Sequence, residues 1–248
     1  NSKIYVVNDS ELEINKNAEI YDGSKIYVAN DSKLEINENA DFYGGTDLSL
    51  DNSTLDIKGE AIFDETSVLI NHGSTAKIYH LDDIGSEIYV VNDSKLEINK
   101  GAIFEGTHLI VDDSKLEINE GALFDRGAHL IIKDNSNITI NGMLTVLDSG
   151  TIEFVNGEFS VNDDGIKIDK SNLNVVGEAN FLNSDTELNN SSNANFKDKL
   201  TLFDSAMLLK NSSSLNVGGV ADFLKVSALI IKDDSNATIN GALGVYDS

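Results

Sequence analysis

Apolar and polar residues alternate with a period of two along nearly the whole chain, in short stretches set apart by Asn, Asp, Gly and Ser. That alternation puts apolar side chains on one face of an extended backbone and predicts many short β-strands broken by tight turns. The stretches recur. Ser-x-Leu-x-Ile occupies residues 10–14, 32–36, 53–57, 94–98 and 114–118. Looser copies lie at 74–78, 136–140, 171–175, 192–196, 213–217 and 235–239, and a copy opening on Gly150 instead of Ser lies at 150–154. With the central apolar residue as reference, the copies fall at 12, 34, 55, 76, 96, 116, 138, 152, 173, 194, 215 and 237. The steps between them are 22, 21, 21, 20, 20, 22, 14, 21, 21, 21 and 22 residues.

Two further strands flank each reference. Eight and six residues before it lie pairs such as Ile4/Val6, Ile26/Val28, Ile88/Val90 and Leu130/Ile132; six and eight after it lie Ala40/Phe42, Ala61/Phe63, Ala102/Phe104, Ala122/Phe124, Ala179/Phe181 and Ala221/Phe223. Three short strands per twenty-odd residues at constant spacing describe one coil of a solenoid, whose coils stack at the ~4.8 Å interstrand distance. The expected fold is all-β, a right-handed parallel β-helix of about twelve coils of 20–22 residues, and the rod is on the order of 55–60 Å long. A sandwich or barrel would not demand one fixed column of Ser and one of Phe, helical repeats are excluded by the β-branched strands, and a hexapeptide helix would step in multiples of six.

The whole of 1–248 reads as one solenoid. The 14-residue step from Ile138 to Ile152 predicts a trimmed or bulged coil with a strand missing or merged, and 142–170 is the least regular segment. A longer repeat overlies the short one: residues 130–149 match 229–248 at 15 of 20 positions, and 2–16 match 86–100 at 13 of 15. Such super-repeats imply duplication within a larger array. The chain opens on Asn1 without a signal-peptide pattern and neither end carries an obvious cap, so it is read as a segment or processed product that continues into neighbours.

Composition narrows the function classes. Hydrophobic residues make up 40% of the chain, and no apolar run approaches a membrane span. The net charge of −24, from 42 acidic and 18 basic residues, argues against nucleic acid or an anionic membrane surface as partner. There is no Cys, hence no disulfide or thiolate metal site, and neither Pro nor Trp.

The candidate chemistry sits in the turns and columns. An inward Ser in every coil satisfies polar groups at a corner, and no His stands at a fixed distance to make it a nucleophile. The turn acids Asn8-Asp9, Asn30-Asp31, Asn92-Asp93, Asp112-Asp113, Asp134-Asn135 and Asp233-Asp234 stack into a ladder of the kind that holds weak structural Ca²⁺, although Asn and Asp are also the ordinary residues of tight turns. His108 and His129 are predicted to stack on adjacent coils, with His72 and His80 elsewhere. The only Arg is Arg126. Thr is too scattered for an ice-binding face. Asn-x-Ser/Thr sequons at Asn8, Asn30, Asn52, Asn92, Asn137, Asn189, Asn190, Asn211 and Asn236 mark N-glycosylation positions for a secreted protein. No catalytic residue and no cofactor is assigned.

The units Asn-Asp-Ser-Lys-Leu-Glu-Ile-Asn (30–37 and 92–99) and Gly-Ala-x-Phe (101–104 and 121–124) resemble the repeats of secreted bacterial β-helix adhesins, the autotransporter passengers and filamentous-haemagglutinin-type proteins. The resemblance covers nearly the whole chain as a pattern, and no functional residue transfers with it. It implies an extracellular, cell-surface rod that adheres through its surface to a host or neighbouring cell or to glycans, and that assembles with itself end to end or side by side. The alternative on the same scaffold is a polysaccharide-active enzyme or a tailspike-like glycan binder, which needs long loops around converging carboxylates. The short turns favour the rod.

Overall fold

The computed structural model describes residues 2–155, 158–161 and 165–246, with the backbone alone for 154, 155 and 158–161. It is a parallel β-solenoid, and among the described residues there is no helix. Three faces wrap a single core. The first face stacks twelve strands from Lys3–Val7 to Asn236–Ile239. The second runs from Glu11–Ile14 to Leu243–Tyr246, and the third from Ala18–Ile20 to Ala228–Ile231. These make eleven complete coils and two sides of a twelfth. In coils three and four the second and third sides are one unbroken strand each, Thr54–Asp64 and Thr75–Ile84, so the corner between them is bent strand rather than turn.

Pairing is parallel and joins like to like. Leu12 sits on Leu34 and Ile14 on Ile36, and Leu96 and Ile98 sit on Leu116 and Ile118. Inward positions are buried through the inner coils and partly open in the first and last, and the Ala-x-Phe pairs give the third side alternating small and large cross-sections. The Phe rings meet along the axis: Phe42 and Phe63 edge to face with centroids 5.1 Å apart, Phe104 and Phe124 stacked at 4.7 Å. Such ring pairs add to the area they bury.

The turns explain the Asn and Asp content. In Asn8-Asp9, Asn30-Asp31, Asn92-Asp93 and Asp233-Asp234 both residues are left-handed, with φ between 53° and 60°. Short polar side chains tolerate that conformation best after glycine. The serines close the corners between coils. The Ser10 N–H donates to Ser32 Oγ at 3.1 Å, Ser53 to Ser74 at 3.1 Å, Ser94 to Ser114 at 3.1 Å and Ser114 to Ser136 at 3.3 Å.

The 14-residue step has a different origin from the missing strand that the spacing predicts. Ile152 stacks on Leu130, 22 residues earlier, and Phe159 pairs with Ile138, 21 residues earlier, so the coil length is unbroken. The described parts of 142–170 carry regular strands in all three columns. What changes is the face. Up to Ile138 the Ser-x-Leu-x-Ile copies lie on the second face; Ile152, Leu173, Ala194, Leu215 and Ala237 stack on the first. The Ala-x-Phe pairs move with them: Ala179/Phe181 and Ala221/Phe223 belong to the second face, not the third.

A step of 14 against a coil of 21 is two sides of a three-sided prism. The sequence repeat has slipped by one side while the described strands keep their columns. Each side contributes a pair of inward apolar residues of similar bulk, so any pair fits any side. The hydroxyl ladders shift accordingly: the Ser171 N–H donates to Ser192 Oγ at 3.3 Å and Ser213 to Ser235 at 3.0 Å before the first face. A new ladder, Ser184 to Ser205 at 3.0 Å and Ser205 to Ser227 at 3.3 Å, precedes the third.

Two serines of one column make a test. Ser114 Oγ accepts the buried Ser94 N–H, whereas the buried Ser94 Oγ has no partner. Ser114→Ala is expected to cost about 1–3 kcal/mol by stranding that N–H, and Ser94→Ala to be close to neutral. Urea unfolding of the two variants measures the difference; equal costs would show that the ladder bond is not what stabilises the corner.

Candidate functional site

Stacking converts each outward position into a column, so the surface is best read by column. Amide side chains of adjacent coils bond one another and some of the acids at the corners. Asn30 Nδ2 donates to Asn8 Oδ1 at 3.3 Å and Asn52 Nδ2 to Asp31 Oδ1 at 3.0 Å. Asn190 Nδ2 reaches both oxygens of Asp169, at 2.9 and 3.1 Å. With the left-handed backbone these bonds give the turn residues a structural role. Among the described residues the turn acids assemble no group of three carboxylate or imidazole donors, and the one such group, Glu60, His80 and Asp82, lies on the third face. Of the acids in the predicted Ca²⁺ ladder, Asp31 has a carboxylate oxygen engaged by a neighbouring amide.

The sequon asparagines do not share one environment. Asn8, Asn30, Asn52, Asn92 and Asn211 are exposed at left-handed turn positions. Asn189 and Asn190 are half-buried, and Asn190 is bonded to Asp169. Asn137 and Asn236 open strands instead of turns.

His108 and His129 do stack on adjacent coils, in an edge-to-face contact with ring centroids 5.9 Å apart. Burial first, and then the neighbouring His108, lower the pKa of His129. His72 Nδ1 lies 2.6 Å from Asp51 Oδ1, and His80 Nε2 lies 3.1 Å from Asp82 Oδ1. Arg126 occupies a left-handed turn and donates to Glu105 at 2.5 Å. Several inward serine hydroxyls donate to carbonyls, Ser53 Oγ to Val28 O at 2.7 Å and Ser136 Oγ to Val111 O at 3.1 Å, in keeping with their reading as corner groups.

The faces differ in charge. On the second face lysines bridge carboxylates of successive coils: Lys95 lies 2.8 Å from both Glu97 and Glu117, and Lys33 pairs with Glu11 and Glu35. The Lys95 ammonium holds the Glu97 carboxyl below the usual carboxylate range. The first face of coils nine to twelve carries no charge at its central outward positions, which are Asn172/Asn174, Asn193/Asn195, Ser214/Asn216 and Asn236/Thr238. Amide bonds order this array: Asn193 Nδ2 donates to Asn172 Oδ1 at 3.1 Å and Asn195 Nδ2 to Asn174 Oδ1 at 2.8 Å, and Ser214 Oγ donates to Asn193 Oδ1 at 2.5 Å. The periodicity gave no hint of this face, because the slip that brings the Asn-rich copies onto it is invisible until register is known.

The sequence reading also passed over Asp83. Its side chain points into the core, between Phe63 and Phe104 of the neighbouring coils, and is fully buried. Oδ1 accepts from the Thr107 hydroxyl and from the Ser86 N–H at 3.4 Å, and Oδ2 has no partner. Burial pushes its pKa from 3.8 up to about 6, against the hydrogen bonds of Thr107 and Ser86, which lower it. The signal was present in the sequence as the one coil among those from two to six that breaks the Ala-x-Phe pair, with Leu81 and Asp83.

A family model described as the B subunit of the Discoidin-inducing complex matches residues 1–248. No curated protein and no solved structure matches the chain. The matched family is not that of the adhesins whose repeats the sequence resembles; what the structure bears out of that resemblance is the β-solenoid itself.

Asp83 carries a pH prediction. Its folded pKa lies above the unfolded value, so the stability tied to its proton is fully present below pH 3.8 and is lost as pH rises through about 6. The loss is on the order of 3 kcal/mol. Asp83→Leu, which refills the column with an apolar side chain, removes it. The stability of this variant relative to wild type is expected to rise by that amount between about pH 3.5 and 7.5, read from urea midpoints at the two pH values. A difference that does not change with pH would refute the assignment.

Proposed function

We propose, since the chain belongs to the family of the discoidin-inducing complex B subunit, that it is a structural, non-catalytic component of a multi-protein assembly outside the cell. In this reading the rod displays flat faces on which other components dock. The observation that carries it is the neutral amide array on the first face of coils nine to twelve. In a chain of net charge −24, this is where another protein can approach without confronting uncompensated carboxylates. Like charges brought together across an interface cost several kcal/mol, and desolvating neutral amides costs far less. The amides are already ordered by their bonds to one another, so little side-chain freedom is lost on contact.

Short turns support the same reading. The two-residue left-handed corners raise no walls beside the faces, so recognition falls to extended surfaces, as it does in other solenoids. An extracellular setting agrees with the resemblance to secreted β-helix repeats and with the exposed sequons.

The test uses the tagged chain expressed in its source cells. It is expected to sediment in an assembly well above its own 26.8 kDa. Asn174→Asp combined with Asn195→Asp, which stacks two charges at the centre of the array, is expected to weaken that assembly at least about tenfold. Asn180→Asp, on the second face, is the control and should leave it intact. An assembly indifferent to the double variant, or turnover of acidic or neutral polysaccharides by the purified chain, would overturn the proposal.

A further inference from the structure

In a stack of near-identical coils each coil serves as the reference for its neighbours, and a local departure stands out. The third side of coil four departs at consecutive positions. Asp82 stands where the flanking coils have Ile62 and Ile103, and Asp83 where they have Phe63 and Phe104. His80 stands beside Glu60 of coil three, in a column that continues with Gly101 and Gly121 in the next two coils. Asp83 turns inward. His80 and Asp82, two residues apart on a strand, share the outward face.

Glu60 faces His80 directly across the coil boundary. One donor atom from each of Glu60, His80 and Asp82 lies within 4.8 Å of the others, and His80 Nε2 is already 3.1 Å from Asp82 Oδ1. The pairing of coils three and four is interrupted by a bulge between Ile78 and His80. Bulges redirect side chains in this manner. Gly101 of the next coil leaves the imidazole uncrowded, and even a Cβ there would lie 3.9 Å from His80 Cε1, an ordinary contact.

The local electrostatics leave these carboxylates uncompensated. Lys58 and Lys100 border the same shallow cavity of about 510 Å³. Lys58 is held by Glu35 and by Asn37 Oδ1 at 2.8 Å, and Lys100 by Glu120 at 2.6 Å. Among the described residues Glu60 makes no ion pair, and Asp82 pairs only with His80. Two carboxylates and an imidazole converge on one point with no lysine between them.

We propose that Glu60, His80 and Asp82 bind a first-row divalent cation of the zinc class on the third face of coil four. The donor set selects the class. Calcium and magnesium take oxygen ligands, whereas an imidazole nitrogen with two carboxylate oxygens suits zinc and its neighbours, with water completing the shell. Donors sharing a tetrahedral ion at bonds of about 2.0–2.2 Å lie roughly 3.3 Å apart. Binding would draw the donors, now within 4.8 Å of one another, toward that separation. The ion would clip coil three to coil four beside the point where Asp83 interrupts the Phe column, so its binding should stabilise the fold.

The experiment titrates the intact chain with ZnCl₂ by calorimetry, and with CoCl₂ by its visible absorption bands. Wild type is expected to take up one equivalent and to melt at a higher temperature with Zn²⁺. His80→Ala should lower the affinity on the order of 10²-fold and abolish the melting shift. Asp82→Asn should weaken binding in the same direction and serves as a second reading should His80→Ala melt differently without metal. The combined His108→Ala and His129→Ala variant should bind like wild type. No saturable binding up to about 1 mM Zn²⁺, binding that survives both His80→Ala and Asp82→Asn, or binding lost with His108 and His129 would overturn the assignment.

Discussion

Everything in this molecule follows from one constraint: every residue rests on its own counterpart in the next coil, at the ~4.8 Å spacing of paired strands. A side chain is best tolerated where it can pack on, or bond to, the one beneath it. Leu and Ile do so by dispersion, and Phe by offset or edge contact, as Phe42 on Phe63 and Phe104 on Phe124. Ser accepts from the backbone N–H of the previous coil, as Ser114 does from Ser94. Asn is both donor and acceptor and so forms ladders of any length. Carboxylates stacked on carboxylates repel, and lysines relieve much of that repulsion. The pairing sets Glu97 on Glu117, and Lys95 reaches both. The composition, rich in Asn and Ser and lacking Pro, is therefore a list of what stacks and pairs; a Pro on an inner coil would remove a ladder donor.

The same constraint made most of the fold legible from the sequence. Period-two stretches, the constant step and the Ala-x-Phe column define three strands per coil because in-register stacking translates sequence period directly into space. The 14-residue step was misread for an equally physical reason. Spacing reports where the motif recurs but not which side it occupies, and a three-sided prism with interchangeable apolar pairs lets the motif change sides with no change in the coil. Leu130 under Ile152 and Ile138 under Phe159 are what separate a slipped pattern from a missing strand.

Departures from the constraint carry more functional information than the motif does. Serine columns and turn acids attract notice because they recur, and recurrence here means structural necessity: the hydroxyls bond carbonyls, and the Asn-Asp pairs supply two left-handed residues. Coil four attracts none on a motif search, since its Ser-x-Ala-x-Ile copy is intact. Only when Leu81 and Asp83 are laid against Ala61/Phe63 and Ala102/Phe104 does its third side stand out. A carboxyl with an unpartnered oxygen among phenylalanines lowers stability at neutral pH, and a column that holds Phe in the two coils on either side has kept it beside His80 and Asp82.

The slip also accounts for the asymmetry of the surface. Before it, the first face presents side chains such as Lys25 and Tyr27, Glu87 and Tyr89, or His108 and Ile110, which differ from coil to coil. After it, the Ser-Asn copies that follow Ser171 and Ser192 occupy that face, and their outward residues become continuous amide columns. One rod thereby acquires two kinds of surface from one repeat. The half with mixed charge relies on lysines to relieve stacked carboxylates. The amide half needs no counter-ion, so a partner bound there neither displaces cations nor breaks ion pairs, and its contacts should depend little on ionic strength.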